Sequence, residues 1–428
     1  MGQYTVYCTG SENLKNLSGG VGELRIDNPS LSKADWGKLF FDKSPVPMGE
    51  VFDSASQLSV YCHAPSPLSL VLGQIAGPSW SGPEWKNTSG GISHNKAASR
   101  LECSIGITTE NAAGAARFWV DGSDHVPYAT IQTHAGKITP SGYSPANTTI
   151  KKGFYHRFSW NVTAEKPING TLTIAYSDFK YRAKGSGTWT SVRVPGPNTY
   201  IDFDTGLVPN AADPGMEWEV VVTSSSGAQA SGGYATVQFQ STAVRLTDLM
   251  PSSRATTYKG FAVNFSWSLN YTKPDDLSGS IRQVSAKLRW RKNGAPAYTE
   301  YAINNATQGY TIPAGVLPAG DIDWQVEVTD TSGGTTASSW TTFNNKELPV
   351  APADLYPADG SRVLKHQVNR FGWSVTAEGA EDAPGEIVQT SAVLRWRTQG
   401  QQDVKSVTIS GGTTSRRIRS PRTISSGR

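Results

Sequence analysis

The sequence of 428 residues predicts an all-β chain of tandem β-sandwiches. The first observation is a long repeat. An aromatic-x-Trp triplet recurs with its tryptophans, Trp160, Trp267 and Trp373, spaced 107 and 106 residues apart. That period is about the length of one small domain. The second observation is that the segments between turns alternate apolar and polar residues, which is typical of half-buried strands, and no stretch has helical periodicity.

Other elements recur at the same period. A Tyr/Trp-Arg pair follows each triplet, at Tyr181-Arg182, Trp290-Arg291 and Trp396-Arg397. A strand-like segment around Trp218 matches one around Trp324, and each runs into a glycine turn. A Leu-x-Pro element precedes the second and third triplets, ending at Pro251 and Pro357. The repeats predict domains over 141–243, 244–349 and 350–428, after a separate N-terminal domain over 1–140.

The recurring tryptophans are predicted to be core residues, because they lie in alternating strands at equivalent positions of the repeat. This group comprises Trp160, Trp218, Trp267, Trp324 and Trp373. The three cysteines, Cys8, Cys62 and Cys103, all fall in the N-terminal domain. Since three cysteines cannot form a closed disulfide framework and lack C-x-x-C spacing, we interpret them as small buried residues.

The repeats resemble fibronectin type III domains. The residues that carry the resemblance are the strand-B Trp, the aromatic-Arg pair of strand C, Leu317-Pro318, and an aromatic-x-Val-x-Val strand that leads to a glycine turn. One departure is that Trp218 and Trp324 stand where that family usually has its corner Tyr. The resemblance implies fibronectin/immunoglobulin-like sandwiches with no catalytic residues.

The N-terminal 140 residues do not follow the repeat. They carry Leu39-Phe40-Phe41-Asp42, a Pro47-Met48-Gly49 turn, a Ser-Ala…Leu-x-Val-Tyr strand ending at Tyr61, and a Pro-Tyr-Ala-Thr-Ile segment from Pro127. This order resembles the DNRLRE domain, a jelly-roll-like sandwich related to carbohydrate-binding modules. The usual early acidic residue is absent, and Lys38 stands where an Arg is expected.

Four tryptophans of this domain are candidates for binding a glycan: Trp36, Trp80, Trp85 and Trp119. Sugar rings have apolar faces that stack on aromatic side chains, with polar groups nearby to bond the hydroxyls. Trp80 and Trp85 are the best candidates, because Ser, Gly, Pro, Glu, Lys and Asn surround them. The alternative is that these tryptophans fill the core of the sandwich.

Other chemistries lack a signal in the sequence. No nucleophile elbow, P-loop or dinucleotide fingerprint occurs, so we expect neither an enzyme nor a cofactor, and no histidine spacing suggests a metal site. The net charge of +4 is too dispersed for nucleic acid. No apolar run is long enough for membrane insertion, and no export signal follows Met1. We therefore expect a protein of the virion or of the extracellular or cell surface.

The combination of the two resemblances is similar to proteins encoded by phages and prophages of gut Gram-positive bacteria. It implies a non-catalytic virion-, tail- or surface-associated protein that binds host or gut glycans. Its expected partners are cell-surface or mucosal glycans and other virion proteins. One alternative is a purely structural spacer in a phage tail or capsid appendage. Another is an accessory module of a polysaccharide-degrading system.

The C-terminal repeat departs from its predecessors. Counterparts of Tyr310 and Trp324 are expected near positions 416 and 430, yet a basic stretch occupies 415–424. We therefore expect the last repeat to lack its final strands. One hypothesis is that the chain leaves its ancestral reading frame near residue 416. The alternative is a functional basic tail that binds an acidic partner.

Overall fold

The computed structural model describes the chain except for residues 18–19, 28–34, 64–67, 73–74, 78–83, 89–90, 109–112, 121–124, 212, 363–366, 378–382, 386–388, 398–401, 413–414 and 420–428. Its regular structure is strands, with one short 3-10 turn. None of the described segments forms a helix of the length and apolar character needed to cross a bilayer. The prediction of an all-β chain of tandem sandwiches is confirmed.

The first sandwich contains twelve strands in the described residues. They are β1 (Gly2–Glu12), β2 (Lys15–Leu17), β3 (Val21–Ile26), β4 (Asp35–Phe41), β5 (Glu50–His63), β6 (Ser69–Leu72), β7 (Ile75–Gly77), β8 (Glu84–Thr88), β9 (Ile92–Asn95), β10 (Arg100–Thr108), β11 (Gly114–Trp119) and β12 (Tyr128–Ala135). One sheet has the order β2-β3-β11-β5-β12-β1, and β8 also pairs with β5. We call it the platform sheet. The facing sheet has the order β1-β4-β10-β6-β7, with β9 on β10.

Strand β1 belongs to both sheets. Its residues Gly2–Tyr7 pair with β12, and after an irregularity at Cys8–Gly10 it continues along β4. The inward residues of both sheets form one apolar core. Cys8, Cys62 and Cys103 lie in that core, as predicted.

The second sandwich consists of β13 (Ile138–Ser144), β14 (Thr148–Lys151), β15 (Tyr155–Ala164), β16 (Ile174–Ala183), β17 (Thr190–Pro195), β18 (Tyr200–Asp204), β19 (Gly215–Ser224) and β20 (Gln229–Gln240). Its two sheets have the orders β13-β15-β18 and β14-β20-β19-β16-β17. Trp160 and Trp218 are buried between them.

The third sandwich repeats this topology. Its strands are β21 (Val244–Met250), β22 (Thr256–Tyr258), β23 (Val263–Tyr271), β24 (Gln283–Lys292), β25 (Thr299–Ile303), β26 (Gly309–Ile312), β27 (Gly320–Asp330), β28 (Thr335–Ala337) and β29 (Thr341–Lys346). The sheet orders are β21-β23-β26 and β22-β29-β27-β24-β25, with β28 on β27. Trp267 and Trp324 are buried, so they are core residues as predicted.

The indole of each corner tryptophan, Trp218 and Trp324, bonds a proline near the start of its own sandwich. The Trp218 indole N–H donates to the carbonyl oxygen of Pro145 at 3.1 Å, and that of Trp324 donates to Pro251 at 3.0 Å. Each bond spans 73 residues. A buried indole needs such an acceptor. The same contact therefore closes both sandwiches.

The fourth sandwich has five described strands: β30 (Val350–Tyr356), β31 (Val368–Ala377), β32 (Ser391–Trp396), β33 (Lys405–Ser410) and β34 (Ser415–Arg419). They form the sheets β30-β31-β34 and β32-β33. Arg416 of β34 pairs with Phe371, as Tyr310 of β26 pairs with Phe265. The basic stretch therefore begins as a strand in the expected register. Its residues 420–424 lie outside the described residues, and the reading-frame hypothesis stays a prediction.

Trp373 differs from its counterparts in being only half-buried. Its indole N–H donates to Gln389 at 2.6 Å, as that of Trp267 donates to Gln283 at 2.8 Å. The difference in burial arises because the described part of this sandwich has no counterpart of β27. The prediction that this tryptophan is a core residue is thus met only in part.

By its internal contacts the chain divides into two compact units. One comprises Met1–Gln240 with Leu277–Gly279, and the other comprises Ser241–Asp276 with Ser280–Arg428. The first unit therefore contains the first two sandwiches.

A loop of the second sandwich joins these two domains. Ile168, between β15 and β16, is fully buried in the core of the first sandwich, and its amide donates to the Glu50 carbonyl at 2.8 Å. The side-chain amide of Asn169 donates to the carbonyl oxygens of Lys43 and Val46, each at 2.6 Å. The hydroxyl of Ser224, the last residue of β19, also donates to the Gly136 carbonyl at 2.6 Å. Apolar packing of Ile168 and hydrogen bonds from Asn169 and Ser224 thus join the second sandwich to the first.

A histidine lies between two carboxylates at this junction. The His134 ring contacts Asp53 through Nδ1 at 2.5 Å and Glu165 through Nε2 at 3.1 Å. Partial burial acts to lower the pKa of His134, but the bonds to Glu165 and Asp53 outweigh it and raise the pKa above 6.5. Burial acts to raise the pKa of Glu165, but the Lys137 amide and His134 outweigh it and lower the pKa below 4.5.

We expect the junction to be most stable in mild acid. The contribution of His134 is complete below its ordinary pKa of 6.5 and is lost as pH rises through the raised value. The contribution of Glu165 is complete above 4.5 and is lost as pH falls through the lowered value. Since the groups are partly exposed, the gain is at most about 1 kcal/mol. Amide protection around residues 134–137, corrected for the intrinsic pH effect, should peak between these pKa values. An unchanged peak in the His134→Gln variant would contradict this assignment.

Candidate functional site

The outward face of the platform sheet carries a cluster of aromatic side chains. Strand alternation places them there: Val6, Val60 and Ala129 point into the core, so their neighbours in the strands point outward. We call the cluster the aromatic platform, and its members are Tyr7, Tyr61, Trp85, Trp119, His125 and Tyr128.

Strand register brings these residues together from distant parts of the sequence. Tyr7 of β1 is paired with Tyr128 of β12, and Tyr61 of β5 is paired with Trp85 of β8. Paired residues share one face of a sheet, so all four rings lie on the same side. Trp119 ends β11, which pairs with the last residues of β5.

The rings form a connected series. The Tyr7 and Tyr128 centroids are 6.2 Å apart, and those of Tyr128 and Trp85 are 5.7 Å apart. Tyr61 meets Trp85 edge-on at 5.5 Å and Trp119 edge-on at 5.0 Å. His125 lies 4.0 Å from Tyr61 and is stacked with Trp85 at 6.1 Å. The edge-on contact with Tyr61 orients the Trp85 ring. Trp85 remains 37% exposed, and Tyr7 is 53% exposed.

A row of uncharged polar side chains runs beside the rings. Thr5 is paired with Thr130, and Thr130 with Gln57, one outward position along from Tyr7 and Tyr128. Gln3 and Gln132 form the next pair. Apolar ring faces beside hydroxyl and amide groups are the combination that a sugar chain requires.

The structure brings two of the predicted residues, Trp85 and Trp119, into the platform. Trp36 lies elsewhere, on the outward face of the facing sheet. It is 45% exposed, and its ring lies flat over Gly106, where a Cβ atom would come within 2.5 Å of Cε3. Trp80 lies outside the described residues.

Sequence reasoning missed Tyr7, Tyr61, His125 and Tyr128 as site residues. Tyr7, Tyr61 and Tyr128 occur in segments that read as strands, and their outward parity was the available signal. His125 follows a loop and carried no such signal.

Two other tryptophans are partly exposed but have a ring face covered. The Arg182 guanidinium lies 4.3 Å from the ring centre of Trp189 and bonds Glu217 at 2.6 Å. The third sandwich repeats the arrangement, with Arg291 lying 4.3 Å from the ring centre of Trp340. These repeated stacks are structural contacts rather than sugar platforms.

The fourth sandwich has an apolar groove of about 430 Å³ between β30 and β32, lined by Leu355, Trp373 and Val393 among others. In the third sandwich the corresponding face is covered by β27 and Trp324. The groove therefore corresponds to a core face and not to a built ligand pocket. Among the described residues no group of His, Cys, Asp and Glu could hold a metal ion.

No family model and no curated protein matches the chain. Solved structures are similar at low identity. The FN1–FN3 domains of chicken CNTN1 are 12% identical, cover 66% of this chain and 88% of that one, and give a TM-score of 0.22. The fibronectin(III)-like modules of Clostridium thermocellum CbhA are 14% identical, cover 49% and 95%, and give 0.20. A tetra-tandem repeat from the extending region of a large adhesion protein is 12% identical, covers 92% and 88%, and gives 0.29. These likenesses concern the fold alone.

Proposed function

We propose that the chain is a non-catalytic binding protein that recognises glycans through the aromatic platform and carries it on tandem sandwich spacers. The observation that carries the proposal is the ring series from exposed Tyr7 through partly exposed Tyr128 to exposed Trp85, beside uncharged hydroxyl and amide groups. Exposed aromatic side chains grouped on one face are costly unless they bind something. Their orientation by edge contacts favours stacking against a flat apolar face.

Host-surface or mucosal glycans are the partners that we propose, with other virion proteins at a separate attachment point. The setting we propose is a phage virion, its tail, or a bacterial surface. This part rests on the resemblance of the N-terminal strands to DNRLRE domains and of the repeats to fibronectin type III domains.

A purely structural spacer is the second candidate. The buried corner contacts of Trp218 and Trp324 favour it, because they make two successive domains of the same design. An accessory module of a polysaccharide-degrading system would use the same platform. It differs from the first proposal only in the partner chain.

Glycan-array binding of the full chain tests the proposal. Trp85→Ala and Tyr7→Ala should each reduce binding by about tenfold or more, because each removes one stacking surface. Trp36→Ala is the matched control, since it removes a tryptophan of similar exposure, 45% against 37% for Trp85, from the other sheet. Its binding should stay unchanged. Equal losses in all three variants, or no glycan binding by the native chain, would favour the spacer.

A further inference from the structure

Resting on the glycan-binding function proposed above, we infer the class of ligand: the internal part of a single, uncharged and twisted polysaccharide chain. Three features of the platform support this inference. They are its length, the rotation of its rings and the uncharged side chains beside it on β1 and β12.

Three rings of the platform form a track whose two end rings are exposed and whose middle ring is partly exposed. Tyr7 of β1, Tyr128 of β12 and Trp85 of β8 follow one another in steps of 6.2 and 5.7 Å between ring centres. Each step is comparable with the length of one pyranose unit, so consecutive sugars can stack on consecutive rings. Because Tyr7 and Trp85, at the two ends, are both exposed, a chain can continue past either end. The track therefore suits an internal segment rather than a terminal sugar.

The rings are not coplanar. The ring planes of Tyr7 and Tyr128 meet at 47°, and those of Tyr128 and Trp85 meet at 58°. A flat ribbon or a crystalline surface presents coplanar sugar faces and would touch only one of these rings well. A chain whose successive sugars are rotated can follow all three. The edge contacts of Tyr61 with Trp85 and Trp119 help to hold the rings in these orientations.

The outward side chains beside the track on β1 and β12 are uncharged. The outward positions of β1 are Gln3, Thr5 and Tyr7, and those of β12 beside them are Tyr128, Thr130 and Gln132. Arg117, which lies two residues from Trp119, is 3.7 Å from Glu23. A glycan carboxylate or sulfate would thus lose hydration without gaining a counter-charge.

The test is calorimetric titration of the full chain with four defined probes. Two are uncharged and twisted, namely 1,3-linked β-gluco-oligosaccharides of one to six units and α-1,4-linked malto-oligosaccharides of the same lengths. The others are an acidic oligouronate of six units and insoluble cellulose, which is uncharged but flat. At least one twisted series should gain about tenfold in affinity between one and three units, because added rings become stacked. Its affinity should change less than twofold with salt, since no ion pair is made.

Three results would overturn the inference. They are equal affinity for the single sugar and the longer chain, tighter binding of the oligouronate, and tighter binding of cellulose. If any of these occurs and the binding is lost in Trp85→Ala, the proposed function stands and only the ligand class is wrong. If no probe binds, or if binding survives in Trp85→Ala, the proposed function and the ligand class both fail.

Discussion

Replacement of Trp324 by alanine should destabilise the third sandwich by about 3–5 kcal/mol, the range found for buried Trp-to-Ala changes. The side chain is fully buried and meets Phe265 edge-on at 5.0 Å. The change would leave a large cavity and remove the donor to the Pro251 carbonyl. A buried carbonyl without its donor adds to the loss.

Urea unfolding of residues 241–349 measures this effect. The fragment contains the complete third core, so we expect it to fold alone and to unfold in one cooperative transition. The matched control is Trp340→Ala in the same fragment. It removes a partly exposed ring that stacks on Arg291, and it should cost only about 0.5–1 kcal/mol. Equal losses for the two variants would show that the corner contact does not hold the sandwich together.

Replacement of Ile168 by aspartate should destabilise the first sandwich by about 3–5 kcal/mol. Residue 168 itself lies in a loop of the second sandwich, between β15 and β16. The side chain is fully buried among apolar residues of the first core. The change removes this packing and places a carboxylate among apolar side chains, where it loses its hydration. Burial of a charge in an apolar core is among the most destabilising single changes.

Hydrogen exchange of the full chain detects the effect locally. Amides of β5 and β12 should lose protection in Ile168→Asp, while those of β23 and β27 in the third sandwich should not. Ile168→Val is the control and should cost about 0.5–1.5 kcal/mol. If β5 and β12 remain protected in the aspartate variant, the loop does not support the first sandwich.

The repeat made the fold predictable because tandem domains bury equivalent residues. Trp218 and Trp324 could be assigned to the core from spacing and alternation alone. The partners of their indoles could not, because Pro145 and Pro251 lie 73 residues upstream. Ile168 could not be assigned either. It lies in a polar segment that reads as a loop, and its burial depends on a neighbouring domain.

The sequence identified two aromatic residues of the site, Trp85 and Trp119, but not the neighbours that strand pairing brings beside them. Polar surroundings pointed to Trp85, yet its neighbours Tyr61 and Tyr128 come from strands paired over long distances in sequence. The same reasoning also named Trp36 as a candidate, because a single sequence does not show which sheet a strand joins. Strand pairing separates the two tryptophans and adds Tyr7 to the first.

We propose that glycans bind on the outward face of the platform sheet. Hydroxyl-radical footprinting of the full chain, with and without a glycan that it binds, locates the bound surface. We expect oxidation of Tyr7 and Trp85 to fall by at least about half on binding, since both rings become covered. Oxidation of Trp36 and Tyr234, which are 45% and 59% exposed, should not change. Protection of Trp36 with unchanged oxidation of Trp85 would place the site on the other sheet and contradict the claim.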